Sequence, residues 1–536
     1  MLDILIIGGG GAGLSTALRA KEMKAKVALY LKSYPTRSQT SMAQGGINAV
    51  LSDDEEKINS HIKDTLSSSK GLGDEEMISF MCKEAKEAIS WLDKIGVPFS
   101  RTEDGKIAQR RLGGAKDNRA CYSQDYTGLK ILHTLYDQCL KEDIEIHNEK
   151  FLLNFIVEEG EVFGATFLDM KSMQIESVYA KSVIVAGGGF GSLYWGFSTN
   201  SKHSTGDVIA AVLRAGGKLS NLEFVQFHPT SLKKSSILIS ESARGAGGVI
   251  INQKGERFVD ELMTRDEVSR AVFEEIEKGN DVFLDIRELG EDFIEENLPQ
   301  ERKLSIFYEG VDPVYDLVPI KPAVHYTMGG IAVNRDLESS IKGLFAIGEC
   351  SEAMTHGANR LGGNSLLELV AFSKKAVLNA LSFAKRRGDF KIESNQENKD
   401  NNFKEAVYTL PNKIDFYEKR EMLGKILYRN CGVFREEINL KAALSYVRQA
   451  QKELAFMGID DKSRVYNTNF IDFVEFGNML ELSEALLVAA ISRRESRGAH
   501  FRVDYPKSNK EYERRSVIWK ENGVICGDFI RVGDEI

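Results

Sequence analysis

Leu2–Ile7 (LDILII) is followed at once by Gly8-Gly9-Gly10-Gly11-Ala12-Gly13, and Ala12–Met23 then has helical composition. A short continuous apolar run reads as a strand buried on both faces of a parallel sheet. Gly8, Gly10 and Gly13 fit G-x-G-x-x-G. The first permits a tight turn, the second lets the backbone approach a pyrophosphate, and the third lets helix and strand pack closely. The N-terminus of the helix then faces the anion. Lys26–Leu31 (KVALYL) supplies a second strand, so a βαβ unit opens the chain. Gly11 belongs to the same turn. The acid that usually ends the second strand and binds the ribose is missing, because that strand ends Leu31-Lys32-Ser33. This weakens a simple NAD reading and leaves FAD, with ribose contacts from elsewhere.

The rest of the chain limits the alternatives. A length of 536 residues predicts more than one domain. The net charge of -9 argues against a nucleic-acid partner, which favours basic chains. The six cysteines are widely spaced with no CxxC, which argues against zinc, a redox dithiol or an iron–sulfur cluster held by this chain. No H-E-x-x-H occurs, so no metal is expected. There is no signal-like leader and no apolar run of 18 residues, so a cytoplasmic, non-spanning chain is expected. Residues 55–100 read as helical, 177–187 and 343–348 as strands ending in glycine, 252–278 as a hairpin-like stretch and a helix, and 365–386 as a long helix. The polar stretch 391–403 (KIESNQENKDNNF) reads as a linker or exposed loop. Residues 406–497 are mostly helical in pattern.

Several motifs carry chemistry. Thr36-Arg37-Ser38-Gln39-Thr40 and Ala43-Gln44-Gly45-Gly46 follow the second strand and offer hydroxyls and amides to a flavin ring. Asp207, in Thr205-Gly206-Asp207, and Glu349, after the strand at 343–348, offer carboxylates to sugar hydroxyls. Of eight histidines, His228, His325 and His356 sit in dense patterns: QFHPT, VHYTMGG and HGANRLGGNSLLE. Glu241 and Arg244, in LISESARG, are neighbours on one helical turn. Taken alone they read as an exposed ion pair of little energetic weight.

Together these motifs resemble the flavoprotein subunit of succinate dehydrogenase and fumarate reductase. The matching segments run from GGGGAG through PTRSQTSMAQGG, TGLKILHTLY, FVQFHPT, LISESARG, TRDEVSR, HYTMGG, GLFAIGE, HGANRLGGNSLLE and NCGVFR to RRESRGAHFRVDYP. L-aspartate oxidase, a related flavoenzyme, shares several of them and is the alternative. The resemblance implies an α/β fold: a doubly wound, Rossmann-like FAD-binding domain interrupted by an α+β capping domain, then a helical domain. The expected bounds are 1–225 and 336–390 for the FAD-binding domain, 226–335 for the cap, 404–510 for the helical domain and 511–536 for a C-terminal tail.

The resemblance also implies roles. Arg265 is the proton donor, reprotonated through Glu241 and Arg244. His228, Ser240, His325 and Arg360 bind a dicarboxylate, fumarate or succinate. The FAD contacts fall on the N-terminal glycines, Ser38, Thr40, Gly45, Gly46, Asp207, Glu349, Ser365 and Leu366. Hydride passes between flavin N5 and the substrate. An iron–sulfur subunit and a membrane anchor are the implied partners, which places this chain at the inner face of the cell membrane. One position departs from the family. Gln39 stands where a histidine usually bonds covalently to FAD. An amide cannot form that link, so FAD is expected to bind non-covalently. The flavin is then more reducing, which favours fumarate reduction.

Overall fold

The computed structural model describes residues 1–534 and 536. Its central sheet has seven strands. Along one path they run Glu145–Asn148, Val27–Leu31, Leu2–Ile7, Ile175–Val185, Glu161–Asp169, Lys150–Glu158, and Leu344–Ala346 pairs with Ile175–Val185 off that path. The first four and Leu344–Ala346 are parallel, with Ile7 opposite both Tyr30 and Val185. Helices Gly11–Glu22 and Asn364–Arg387 pack on this sheet and on each other, and Ile4–Ile7 are buried, as an apolar run without alternation requires. Three parallel strands end within two residues of a glycine, at Gly8, Gly187 and Gly348, and open one crevice at their carboxyl ends.

Two glycines are required by packing. Gly8 has φ +117°, and a Cβ there would lie 2.2 Å from Ala186 O. A Cβ on Gly13 would lie 1.9 Å from Gly8 O. Neither position accepts a side chain without moving the backbone.

A second core lies between residues 225 and 327. Four antiparallel strands stand in the order Val225–Leu232, Val318–Thr327, Val282–Asp285, Val249–Asn252. Leu232, Ile239, Val268, Val272, Leu284 and Ile320 form its buried interior. Helices Arg265–Glu277 and Pro299–Glu309 pack against it, and we refer to this region as the cap. Helices Phe416–Asn430, Glu437–Glu453 and Thr468–Ser492 form the helical region.

Two expectations are corrected. The stretch expected as a linker is largely the helix Gln396–Thr409. Most of its polar side chains stay at the surface, and two tie the helix to the body. Asp400 is buried and accepts from Asn154 Nδ2 at 2.7 Å and Thr166 Oγ1 at 2.5 Å, and Lys404 Nζ donates to Met173 O. The segment expected as a tail forms the hairpin Arg514–Glu521 and Val524–Arg531. Its turn is Asn522-Gly523, both at positive φ, a pairing that favours tight hairpins and stands in plain view in the sequence. The first hairpin strand joins Leu219–Ser220, and buried Arg515 reaches Glu352 at 2.7 Å.

Candidate active site

The crevice at the carboxyl ends of the parallel strands is a deep cavity shared by body and cap. From the body it is lined by Gly8, Gly10, Gly11, Ser38, Gln39, Thr40, Gly45, Gly46, Asp207, Glu349, Ser365 and Leu366. From the cap come His228, Ser240, Glu241, Arg265 and His325, with Arg360 from the loop before the long helix. Every expected site residue therefore faces one space, except two. Gly13 lies beneath the turn, so its part is the close packing of strand and helix, which corrects its expected place as a contact. Arg244 lies behind Glu241, one layer from the cavity.

The body side fits a dinucleotide pyrophosphate. Helices Gly11–Glu22 and Asn364–Arg387 both start at the cavity after a glycine N-cap, with no side chain capping them. Gly11 N and Asn364 N are already bonded, and the amides that follow them in each first turn face the cavity's anion position. Thr40 Oγ1 accepts from Gly11 N at 3.0 Å, and Ser38 Oγ is buried without a partner. Asp207 is less free than expected. Its carboxylate already accepts from Lys32 Nζ at 2.7 Å, Thr205 Oγ1 at 2.8 Å and Asn478 Nδ2 at 2.7 Å. Lys32, which stands where the ribose acid was sought, also reaches Glu475 at 2.6 Å. Glu349 Oε1 accepts from Thr327 N at 3.0 Å, and burial pushes its carboxyl up to about 7. Gln39 Oε1 accepts from Ser201 N at 2.7 Å, and its Nε2 donates to Thr199 O at 3.4 Å. The turns, free amides and hydroxyls thus fit FAD.

The cap side concentrates charge. Arg265 NH2 lies 2.7 Å from Glu241 Oε2, and Arg244 NH2 lies 3.4 Å from Glu241 Oε1. Glu241 and Arg244 are 3% and 2% exposed, so the reading of an exposed ion pair fails. Burial alone would raise the Glu241 carboxyl, but Arg265 and Arg244 hold it below the usual carboxylate range. Burial and neighbouring Arg265 bring Arg360 down to about 10. Its Nε is buried without a partner. Three guanidiniums against one carboxylate leave an uncompensated positive charge, which suits an anionic ligand.

His228 and His325 stand with ring centroids 5.0 Å apart. Burial first, then Arg265, holds both well below the usual imidazole range, so both are neutral at pH 7. His325 Nδ1 pairs with Thr199 Oγ1 at 2.9 Å. Ser240 caps the helix Glu241–Gly245, its Oγ accepting from Ser242 N at 3.0 Å.

Two residues here escaped the sequence reading. Gln226 Oε1 accepts from Arg265 NH1 at 3.1 Å and Arg360 NH2 at 3.2 Å, so one amide oxygen holds two like charges together. Its Nε2 donates to Asn359 Oδ1 and Arg360 O. The signal was a polar residue in a strand that is buried along its whole length, Val225–Leu232. Thr199, which joins Gln39 to His325, lies in no motif and carried no signal.

Comparison with known proteins assigns the chain to a family. Residues 3–366 match the family profile described as an FAD binding domain, and residues 420–526 match the one described as fumarate reductase flavoprotein C-term. The 8-methylmenaquinol:fumarate reductase flavoprotein subunit of Wolinella succinogenes is 38% identical over 530 residues, which is 94% of this chain and 86% of that one. The succinate dehydrogenase flavoprotein subunit of Rickettsia conorii is 37% identical over 545 residues, 95% of this chain and 91% of that one. A solved mutant of the Escherichia coli quinol fumarate reductase superposes with TM-score 0.96 at 33% identity, covering 100% of this chain and 97% of that one.

Proposed function

Because the chain belongs to the fumarate reductase and succinate dehydrogenase flavoprotein family, we propose that it is the FAD-dependent subunit that interconverts fumarate and succinate, with fumarate reduction favoured. The observation that carries this reading is the buried chain Arg265–Glu241–Arg244, which opens at one end on a cavity shared with His228, His325 and Arg360. When bound, FAD supplies the hydride equivalent.

The chain's own residues do the rest. Arg360 takes one carboxylate through its fork of donors. His228 and His325, with the Ser240 hydroxyl, hold the other and turn it out of conjugation with the alkene. As neutral imidazoles they donate hydrogen bonds without adding a charge that would over-bind the succinate dianion. Arg265 gives a proton to the alkene carbon that does not receive hydride. A guanidinium is a poor free acid. It serves here because the Glu241 carboxylate bridges it to Arg244: as Arg265 gives up its proton, one passes from Arg244 through Glu241 to replace it, and Arg244 is reprotonated in turn from solvent. Exclusion of water by the cap strengthens each of these charges. Buried ion pairs contribute little net stability, so this cluster is better explained by chemistry than by folding.

Gln39 supports non-covalent FAD, since its amide has no nucleophilic nitrogen. The names of the relatives, subunits of larger reductases and dehydrogenases, support an iron–sulfur partner and a membrane anchor. No helix among the described residues is long and apolar enough to cross a membrane. We place the chain on the cytoplasmic face through those partners. The domain scheme that supports this is a body of 1–225 and 336–390 with the cap at 226–335.

The test is fumarate reduction by the flavin-loaded protein with a reduced viologen dye. Arg265→Ala is expected to lose about 10²–10⁴-fold in kcat while keeping its flavin absorbance. Turnover by that variant equal to wild type removes Arg265 as donor. Acid precipitation is expected to leave the flavin in the supernatant, and flavin retained in the pellet refutes non-covalent binding.

A further inference from the structure

Asp125 and Glu301 lie far apart in sequence and meet where the cap rests on the body. Asp125 precedes the helix Thr127–Lys141 and is fully buried. Its Oδ2 accepts from Gln300 N at 2.7 Å and Glu301 N at 3.1 Å, the first turn of the cap helix Pro299–Glu309. A carboxylate of the body thus caps a helix of the cap, where the helix dipole favours negative charge. Glu301 is 1% exposed, and its Oε1 accepts from the backbone N of Ser240 at 3.1 Å. Ser240 begins the helix that carries Glu241 and Arg244. Two oxygens remain buried without a partner that ionised carboxylates can provide: Glu301 Oε2 and Asp125 Oδ1.

The charged surroundings are few. Arg110 is the one guanidinium that acts on both carboxyls. It is committed to the backbone, donating to Gln44 O, Gly45 O and Gln124 O, each at 2.9 Å, and it stacks on Tyr122. Tyr122 is the titratable group that faces Arg110, and on the cap side the backbone O of Glu296 accepts from Gln124 Nε2. Two buried carboxyls beside one guanidinium do not both ionise, because like charges at close range push one proton back on. Burial first, then the charge of Asp125, drives Glu301 well above the usual carboxyl range, and burial also raises Asp125.

We propose that Glu301 is a positioning residue for the dicarboxylate reaction: protonated and hydrogen-bonded to Asp125, it fixes the Ser240 amide and so ties the Glu241–Arg244 relay helix to the body at Asp125. This rests on the roles given above to Ser240, Glu241 and Arg244. The sign follows from linkage. A carboxyl raised in the folded state contributes fully at low pH, and its contribution is lost as pH rises through the raised value. Above it, two carboxylates repel across the junction and the relay helix loosens.

The experiment uses the flavin-loaded protein in viologen-driven fumarate reduction from pH 6 to 9.5. Hydrogen exchange of the segment 238–246 is followed over the same range. In wild type, KM is expected to rise about tenfold on the alkaline side, the worth of about one hydrogen bond, with kcat changing much less. Exchange of 238–246 is expected to rise above its intrinsic pH dependence over the same interval. Glu301→Gln keeps an oxygen for Ser240 and an N–H for Asp125 but does not titrate. It is expected to hold the low-pH KM and protection throughout. Glu301→Ala is expected to show raised KM and lost protection at every pH.

An alkaline limb unchanged in Glu301→Gln, or absent from wild type, overturns the inference. So does Glu301→Ala behaviour equal to wild type. If Glu301→Ala does not fold, the Gln variant decides alone. If wild type neither binds nor reduces a dicarboxylate at any pH, the functional reading fails, and the exchange profile still decides the junction.

Discussion

The body and the cap meet the same cavity with different material. The body brings backbone: the Gly8–Gly11 turn and two helices whose N-cap is glycine. The cap brings side chains whose charges are balanced against one another, Arg265 and Arg244 on Glu241, with Gln226 between Arg265 and Arg360. A surface of backbone is intolerant of added atoms and indifferent to small changes of charge. A surface of paired side chains is the reverse. The first suits a large, flat, rigid cofactor, and the second suits a small dianion whose charge distribution changes as it reacts.

Three changes test that contrast, from the largest expected effect to the smallest. In the body, Gly13→Ala puts a Cβ 1.9 Å from Gly8 O. The strand and helix must part, at a cost of about 3 kcal/mol or more. We expect a lowered melting temperature and a protein purified with little flavin. Full flavin content with a wild-type melting temperature would show that the turn is not rigid and would erase the contrast.

In the cap, Gln226→Leu keeps the volume and removes the oxygen shared by two arginines. Each guanidinium loses a buried partner, at about 1–3 kcal/mol. Fumarate kcat/KM is expected to fall about tenfold to a hundredfold with flavin content unchanged. A variant that loses flavin instead would place Gln226 with the body.

The smallest effect concerns His61, which lies in the body and away from the cap charges. It is fully buried, its Nε2 pairs with Asn364 Oδ1 at 3.0 Å, and burial pushes its imidazole down to about 4. The folded-state value is depressed, so the contribution is complete above the unfolded value of ~6.5 and declines as pH falls toward 4. The slope is at most ~1.4 kcal/mol per pH unit. His61→Gln is expected to flatten the loss of melting temperature between pH 7 and 5 while leaving fumarate turnover at pH 7 intact. An unchanged slope would mean that other groups set the acid limb.

Much of this was legible in the chain itself, and the reason differs from residue to residue. Gly8, Gly10 and Gly13 were legible because a strand, a turn and a helix lie within one short segment. Arg265, His228, His325 and Arg360 were legible because each sits inside a dense motif. The helix over 396–409 is hard to see in the chain because it is polar and largely exposed, with buried Asp400 and Lys404 tying it to the body. Asn522-Gly523 was an available hairpin signal that the expectation of a tail passed over.

The sequence by itself determined the dinucleotide-type turn, the set of cationic and imidazole side chains, and the amide at Gln39 in place of a linking histidine. Those are properties of residue type and local spacing, which no packing alters. Only the tertiary structure decided that Glu241 and Arg244 are buried, that Gln226 joins two arginines, that Asp207 is committed to Lys32, and that Asp125 meets Glu301 across 176 positions. Burial sets the dielectric around a charge, and proximity between distant segments sets its partners. The acid–base character of the site was therefore fixed by the fold, from residues whose types the chain had already supplied.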